Sequence, residues 1–164
     1  MKLANGTEKI NYGMNEAKTI NPSGAALPQE VCQSLWRAAL AAREAAYAPY
    51  SRFRVGAAVL DESGRIHAGC NVENAAYPQG VCAEAGALSA MVLAGGRRVC
   101  AVLVLGQGEH WVTPCGGCRQ KIREFAQPDV PILLADENGL RTSLTLQALL
   151  PYSFGPEHLE SPKP

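Results

Sequence analysis

Three cysteines constrain this chain more than anything else in it. Cys82 stands in Cys82-Ala83-Glu84, and Cys115 and Cys118 stand in Pro114-Cys115-Gly116-Gly117-Cys118. Thiols at this spacing make a metal site, and soft thiolates favour zinc among the common ions. A Cys-x-x-Cys pair alone reads as a redox couple or as half of a structural zinc knot. The third thiol, with the proline ahead of the pair, points to a three-ligand centre whose fourth tetrahedral position stays open for chemistry. Glu84 is badly placed to bind the same ion and well placed to carry protons beside it. Any fold for this chain must therefore make two distant segments neighbours.

The 164 residues suffice for one domain with a sizeable core. An apolar content of 47% and a charged content of 18% are those of an ordinary globular protein. Fifteen basic residues balance fifteen acidic ones with no basic run, so the electrostatic footprint of a nucleic-acid binder is missing. A small molecule is the expected substrate, with no nucleic-acid polymer and no membrane as partner. No signal-peptide pattern or long apolar run is present, which makes the cytoplasm the expected location. In that compartment the six cysteines read as reduced thiols, and Cys32, Cys70 and Cys100, in apolar periodic segments, read as core residues.

Residues 1–26, rich in Asn, Gly, Lys and Thr without helical or strand period, read as a flexible extension, and the zinc domain is expected over residues 27–164. Pro28 suits the start of a first helix, with Val31, Leu35, Ala38, Ala39, Ala42 and Ala46 as its apolar face and Pro49 as its stop. Residues 53–60 and 65–72 read as two strands of a hairpin around Asp61-Glu62-Ser63-Gly64. A second helix is predicted over residues 82–94, ended by Gly95-Gly96, and a fully covered strand over the apolar run 99–105. A third helix starts at Pro114-Cys115 and ends before Pro128, and a fourth strand spans residues 130–135. Asn138-Gly139 is a two-residue hairpin signal that sends residues 140–144 back antiparallel as a fifth strand. Residues 144–150 suit a short helix before a Pro-rich tail.

This order has a geometric consequence. A helix of about 13 residues descends roughly 20 Å, and a strand of about seven residues climbs back about 23 Å. The second and third helices therefore begin at the same end of the sheet, with Cys82 at one N-terminus and Cys115 and Cys118 at the other. Positive helix ends are expected to lower the pKa of these thiols.

Several stretches resemble the homotetrameric zinc-dependent cytidine deaminases of the cytidine/deoxycytidylate deaminase superfamily, over about residues 30–160. Beside the two zinc motifs these are Tyr50-Ser51-Arg52-Phe53-Arg54-Val55-Gly56-Ala57-Ala58, Asn71-Val72-Glu73-Asn74-Ala75-Ala76-Tyr77-Pro78 and Leu149-Leu150-Pro151-Tyr152-Ser153-Phe154-Gly155-Pro156. A predicted final hairpin also favours this branch over deaminases of nucleic acids, which tend to have a parallel fifth strand. The resemblance implies an α/β fold, a three-layer α-β-α sandwich with a mixed five-stranded sheet. It implies one Zn²⁺ per subunit on Cys82, Cys115 and Cys118, and hydrolysis of cytidine and 2′-deoxycytidine to the uridine forms with release of ammonia. Glu84 is then the proton carrier, taking a proton from water to N3 and then to the leaving amine. Asn71 and Glu73 bind the ribose hydroxyls, and Phe53 and the Ala83 backbone lie against the base. Tyr77 and Phe154 reach a neighbouring subunit's pocket in a homotetramer. Alanine-rich helices with Gly86 would let neighbouring backbones approach closely.

The chain departs from the family at Ala85, where an arginine usually follows the glutamate and bonds the ligand thiolates. Three thiolates on Zn²⁺ leave a net charge of minus one, so a lost guanidinium weakens the zinc as a Lewis acid unless Arg119 compensates. Ala85 keeps open a second enzymatic reading, deamination of a modified cytosine nucleoside such as an N4-substituted cytidine or a blasticidin-like compound. A catalytically silent zinc-stabilised binding module is the alternative from another class, and the intact Glu84 argues against it.

Overall fold

The computed structural model of the chain describes residues 27–159; the extension expected over residues 1–26 lies outside the described residues. The first helix, α1 (Gln29–Glu44), starts directly after Pro28, whose carbonyl accepts from the Val31 and Cys32 N–H groups. It ends well before Pro49, and Leu35 and Ala39 are its fully buried residues. Strands β1 (Gly56–Asp61) and β2 (Ile66–Cys70) form the expected hairpin. Helix α2 (Ala83–Leu93), strand β3 (Val99–Leu105), helix α3 (Gly116–Phe125) and strand β4 (Pro131–Asp136) follow in the predicted order. Strand β5 (Gly139–Thr145) runs straight into the short helix α4 (Leu146–Leu149), capped by Thr145 Oγ1.

The five strands make one mixed sheet in the order β2-β1-β3-β4-β5. Only β3 and β4 are parallel; the other pairs are antiparallel. β3 shows why its sequence is a continuous apolar run. Val102 and Val104 face the layer of α2 and α3, while Ala101, Leu103 and Leu105 face α1, and all five are buried. With helices on both faces no position of the strand meets water, so alternation has no cause. The three-layer α-β-α sandwich is thus the observed architecture.

Two glycines set how closely the helices lie on the sheet. A Cβ at Gly56 would overlap the Ala39 carbonyl of α1, and one at Gly69 would overlap the backbone of α2 at Ala83 and Ala87. Gly69 thereby sets the depth at which the first turn of α2 sits. Gly86 lies against Gly69 and Cys70 of the same chain, so its close approach is made to the chain's own β2.

Two expectations shift. The final turn uses Glu137 and Asn138, with Asp136 paired to Gly139, one residue earlier than Asn138-Gly139 suggested. The Asp136 carboxylate is the cause: it accepts from the Asn138 N–H at 2.8 Å and pairs with Arg141, nucleating the turn from its own position. Gly139 follows with a φ of 131°. Cys32, Cys70 and Cys100 are half-buried rather than core residues. Among the described residues no helix is long and apolar enough to cross a membrane.

Candidate active site

Cys82 and Cys115 are the residues immediately before α2 and α3, and Cys118 lies in the first turn of α3. Because the two helices begin at one end of the sheet, the three sulfurs converge. All lie within 4.8 Å of one another, and those of Cys82 and Cys115 are 3.8 Å apart. Zinc–sulfur bonds of about 2.3 Å at tetrahedral angles set sulfur–sulfur edges of about 3.8 Å. Geometry and donor chemistry therefore both fit zinc. Glu84, one residue into α2 and only 4% exposed, accepts the Cys118 thiol at Oε2 over 3.2 Å.

The three thiols of this cluster are shifted in different directions. Burial pushes the Cys118 thiol far up, and the Glu84 carboxylate beside it adds to the effect. Burial also raises Cys82, against a hydrogen bond from Cys118 that lowers it. Only Cys115 is lowered: burial opposes this, but the Cys118 backbone N–H and the two neighbouring thiols outweigh burial. Helix ends were expected to lower all three; at Cys82 and Cys118 desolvation and the nearby negative charge win. A divalent cation held by the three sulfurs would supply the positive charge that lets all three ionise together.

A cavity of about 570 Å³ adjoins the thiols, and Asn71, Glu73, Tyr77 and Cys82 line it. The segment between β2 and α2 is fixed there by a two-way backbone pairing, Val72 N–H to Val81 carbonyl and Val81 N–H to Val72 carbonyl, each 2.9 Å. This pairing links the Asn71–Glu73 stretch directly to the residue before Cys82. The Asn71 side chain spans the approach to β1, accepting from Val55 N–H at 2.8 Å and donating to the Phe53 carbonyl at 2.9 Å. Glu73 accepts from the Tyr50 N–H at 2.8 Å and from the Ser51 N–H. Hydrogen bonding by Ser51 lowers the Glu73 pKa, partial burial opposes it, and the Tyr50 N–H adds to the lowering. Glu73 is thus held as a carboxylate with oxygen lone pairs left for a ligand.

The remaining predicted residues lie at different distances from this cavity. Ala83 is buried at the start of α2, and Phe53, partly exposed, meets the site through its carbonyl on Asn71. Tyr77, on the 3₁₀ turn Tyr77–Gln79, is 78% exposed with its ring 6.1 Å from that of Tyr50. Phe154 does not line the cavity; it is 56% exposed, with its carbonyl on Gln120 of α3 and its ring stacked on His158. Arg119 corrects the idea that it neutralises the thiolates. Its Nε donates to the Pro114 carbonyl, Nη1 to the Leu149 carbonyl, both at 2.7 Å, and Nη2 to Thr113 Oγ1 at 3.0 Å. Its hydrogen bonds go to oxygen, and it ties the loop before Cys115 to the end of α4.

Sequence reasoning gave no role to the Tyr50 and Ser51 N–H groups or to the Val72–Val81 pairing. Backbone donors leave no mark in residue identity; only Pro49, which sets the turn ahead of them, hinted at their position.

Residues 29–134 match the family described as the cytidine and deoxycytidylate deaminase zinc-binding region. Cytidine deaminase of Sporosarcina psychrophila is 46% identical over 118 residues, 72% of this chain and 87% of that protein. The crystal structure of cytidine deaminase from Burkholderia pseudomallei superposes with a TM-score of 0.69 at 42% identity, covering 74% of this chain and 98% of that one. That of cytidine deaminase from Mycobacterium tuberculosis gives 0.63 at 39% identity, covering 75% and 96%. The match takes in both helix starts that carry the thiols and runs along most of each relative's length, so the chain belongs to the cytidine and deoxycytidylate deaminase zinc-binding family.

Proposed function

We propose that the protein hydrolyses cytidine and 2′-deoxycytidine to uridine and 2′-deoxyuridine, adding water at C4 of the base and releasing ammonia. The observation that carries this reading is the buried Glu84 carboxylate, 3.2 Å from a thiol of the three-cysteine cluster, whose Cys82 lines a cavity edged by Asn71 and Glu73. A zinc ion held by Cys82, Cys115 and Cys118, one per subunit, supplies the Lewis acidity that makes water a nucleophile at neutral pH.

The chain's own groups do the rest. Glu84 takes a proton from water, keeps it in a site almost closed to solvent, and delivers it to ring N3. It then carries the second proton to the leaving amine, which departs only when protonated. Seclusion matters because a carboxylate in open water would exchange its proton with solvent before returning it to the ring. Asn71 and Glu73 hold the sugar hydroxyls, with Phe53 and the Ala83 backbone against the base. Tyr77, while also lining its own chain's cavity, and Phe154, outside it, reach a neighbouring subunit's pocket in a cytoplasmic homotetramer whose zinc domain occupies residues 27–164. Phe154 lying outside its own chain's cavity supports this sharing.

Ala85 favours one second reading, a deaminase tolerant of N4-substituted cytidines. A small, half-buried side chain follows Glu84, and the hydrogen bonds of Arg119 are spent on oxygens. Ammonia release from cytidine tests the main reading. Glu84→Gln should keep about one zinc per chain and lose roughly 10²–10⁴-fold or more in kcat, the usual worth of positioned proton transfer. Near-normal turnover in that variant overturns the mechanism.

A further inference from the structure

The segment after α4 turns back along α3 with its large apolar side chains facing outward. Tyr152 is fully exposed, Phe154 is 56% exposed and Leu159 is 76% exposed. A terminal segment ordinarily seats itself by burying such groups. This one is held by polar contacts from a single helix instead. Gln120 Nε2 donates to the Phe154 carbonyl at 2.9 Å. Arg123, itself only 7% exposed, donates through Nε to Ser153 Oγ at 3.0 Å, through Nη2 to the Glu157 carboxylate, and through Nη1 to the Ala126 carbonyl at 3.3 Å. Gly155 is buried directly against the guanidinium, where a Cβ would overlap both Arg123 and Glu157.

The bonds of Arg123 thus bracket Phe154, with Ser153 before it and Glu157 after it, while Gly155 lies packed between them against the guanidinium. The ring is left with a stacking contact to His158, centroids 5.0 Å apart and planes 21° from parallel. His158 is oriented in turn by accepting the Gly155 N–H at Nδ1 over 3.0 Å. Backbone fixed and ring outward, Phe154 is presented rather than packed. A buried guanidinium is costly unless paired, and here all three nitrogens are engaged, two of them by the segment it holds. Its position five residues after Cys118 on the same helix gives the arrangement a purpose. α3 carries zinc ligands at one end and grips the C-terminal segment further along, so the two are held at a fixed offset.

We infer that Arg123 is a positioning residue for substrate binding: its clamp on Ser153, Gly155 and Glu157 holds Phe154 pre-oriented for the nucleoside cavity of a neighbouring subunit. The inference rests on the reading that Phe154 completes that cavity. An ordered aromatic binds without first being immobilised, so a working clamp lowers KM and leaves the proton transfers of Glu84 alone.

The clamp can be opened from two sides without touching the thiols or the buried core. Glu157→Gln removes the charge from a half-exposed partner, and Gly155→Ala drives a methyl group into the guanidinium. Each is expected to raise KM for cytidine by roughly tenfold with kcat within about twofold, while zinc content stays at about one per chain and amide exchange over residues 151–158 accelerates. Phe154→Ala should raise KM at least as much, and Phe154→Ala combined with Glu157→Gln should raise it no further, because both act through one ring. If Phe154→Ala leaves KM unchanged, the shared-pocket reading fails and takes this inference with it. If Phe154→Ala raises KM while both clamp variants exchange faster at wild-type KM, the shared pocket stands and the role of Arg123 is wrong.

Discussion

The carboxylate cluster around Asp61 and the thiol cluster beside Glu84 differ in a way that separates structure from function. At the end of β1 the Asp61 carboxylate, with no solvent-accessible side-chain surface, accepts from Ser63 N–H and Oγ, Arg65 N–H and Nε, and His67 Nε2. Burial would push its pKa up, but the hydrogen bonds from Ser63, His67 and Arg65 outweigh it and hold the group well below the usual aspartate range. That cluster is complete, with every lone pair answered from within the chain. At the starts of α2 and α3 the balance runs the other way: three thiols and Glu84 crowd together, all of one sign once ionised, with the sulfurs spaced to share one cation. A carboxylate whose donors all come from the chain fixes a turn; thiols spaced for one ion bind a ligand.

Removing the metal should break the comparison most forcefully. Cys118→Ala, or prolonged chelation of the wild type, is expected to abolish activity and to lower the Tm, because ligand binding and folding are coupled at thiolate zinc sites. Amide exchange should rise around the starts of α2 and α3 first, while the turn held by Asp61 keeps its protection. A zinc-free protein with wild-type Tm and turnover contradicts the assignment of the three cysteines.

Disturbing the complete cluster should affect stability without affecting chemistry. Asp61→Asn is expected to cost about 1.5–3 kcal/mol, the range for hydrogen bonds to a charged group, with zinc content and KM unchanged at permissive temperature. The pH dependence has a definite sign. A carboxyl whose folded pKa lies below its unfolded value stabilises fully above the unfolded value and loses that contribution as pH falls below it. Wild-type stability should therefore decline on acidification below the ordinary aspartate range more steeply than that of Asp61→Asn. Parallel acid profiles for the two proteins would mean that the buried carboxylate contributes nothing by its charge.

What could be read from the residues follows the same division. The thiol cluster was legible because ligand spacing is written in residue identity and the order of elements dictates that two helices begin together. β3 was legible because a strand covered on both faces must be apolar throughout. The Asp61 cluster was invisible: Asp61-Glu62-Ser63-Gly64 reads as a turn, but nothing in it tells that the first residue is buried and that His67 turns back onto it. The last hairpin slipped by one residue for a related reason, since the Asp136 carboxylate bonding the Asn138 N–H overrode the Asn-Gly preference. Whether Arg119 serves the thiolates cannot be read from its place beside Cys118, because its partners include the carbonyls of Pro114 and Leu149, which only the tertiary fold supplies.

Asn71 and Glu73 are an intermediate case, half satisfied by the backbone and half open to the cavity, and they sharpen the comparison. Glu73→Ala and Asn71→Ala remove bonds both to substrate and to the loop at Tyr50–Phe53. Each is expected to weaken nucleoside binding by about 1–3 kcal/mol, seen as a raised KM. Cytosine without a sugar should be turned over poorly by the wild type and be insensitive to both changes. Cytosine processed as well as cytidine would remove the sugar-binding role from both residues.

The last test asks whether the alanine after Glu84 shapes the charge and the selectivity of the thiol site. Ala85→Arg would return a guanidinium beside thiolates that Arg119 does not serve. Partners of metal ligands alter affinity or activity typically 10–100-fold, which favours tighter zinc and faster turnover in the variant. The opposing effect is steric, because Ala85 is half-buried against its surroundings and overpacking costs roughly 1–3 kcal/mol. The two are of similar size, so cytidine turnover alone moves little and in no fixed direction. The informative quantity is a ratio, kcat/KM for cytidine against that for an N4-substituted cytidine, taken in both proteins alongside the rate of zinc loss to a chelator. A larger side chain next to Glu84 narrows the space for a substituted leaving group, so the ratio should shift toward cytidine while zinc loss slows. If neither the ratio nor the rate of zinc loss changes, position 85 has no part in either the charge or the selectivity of the site.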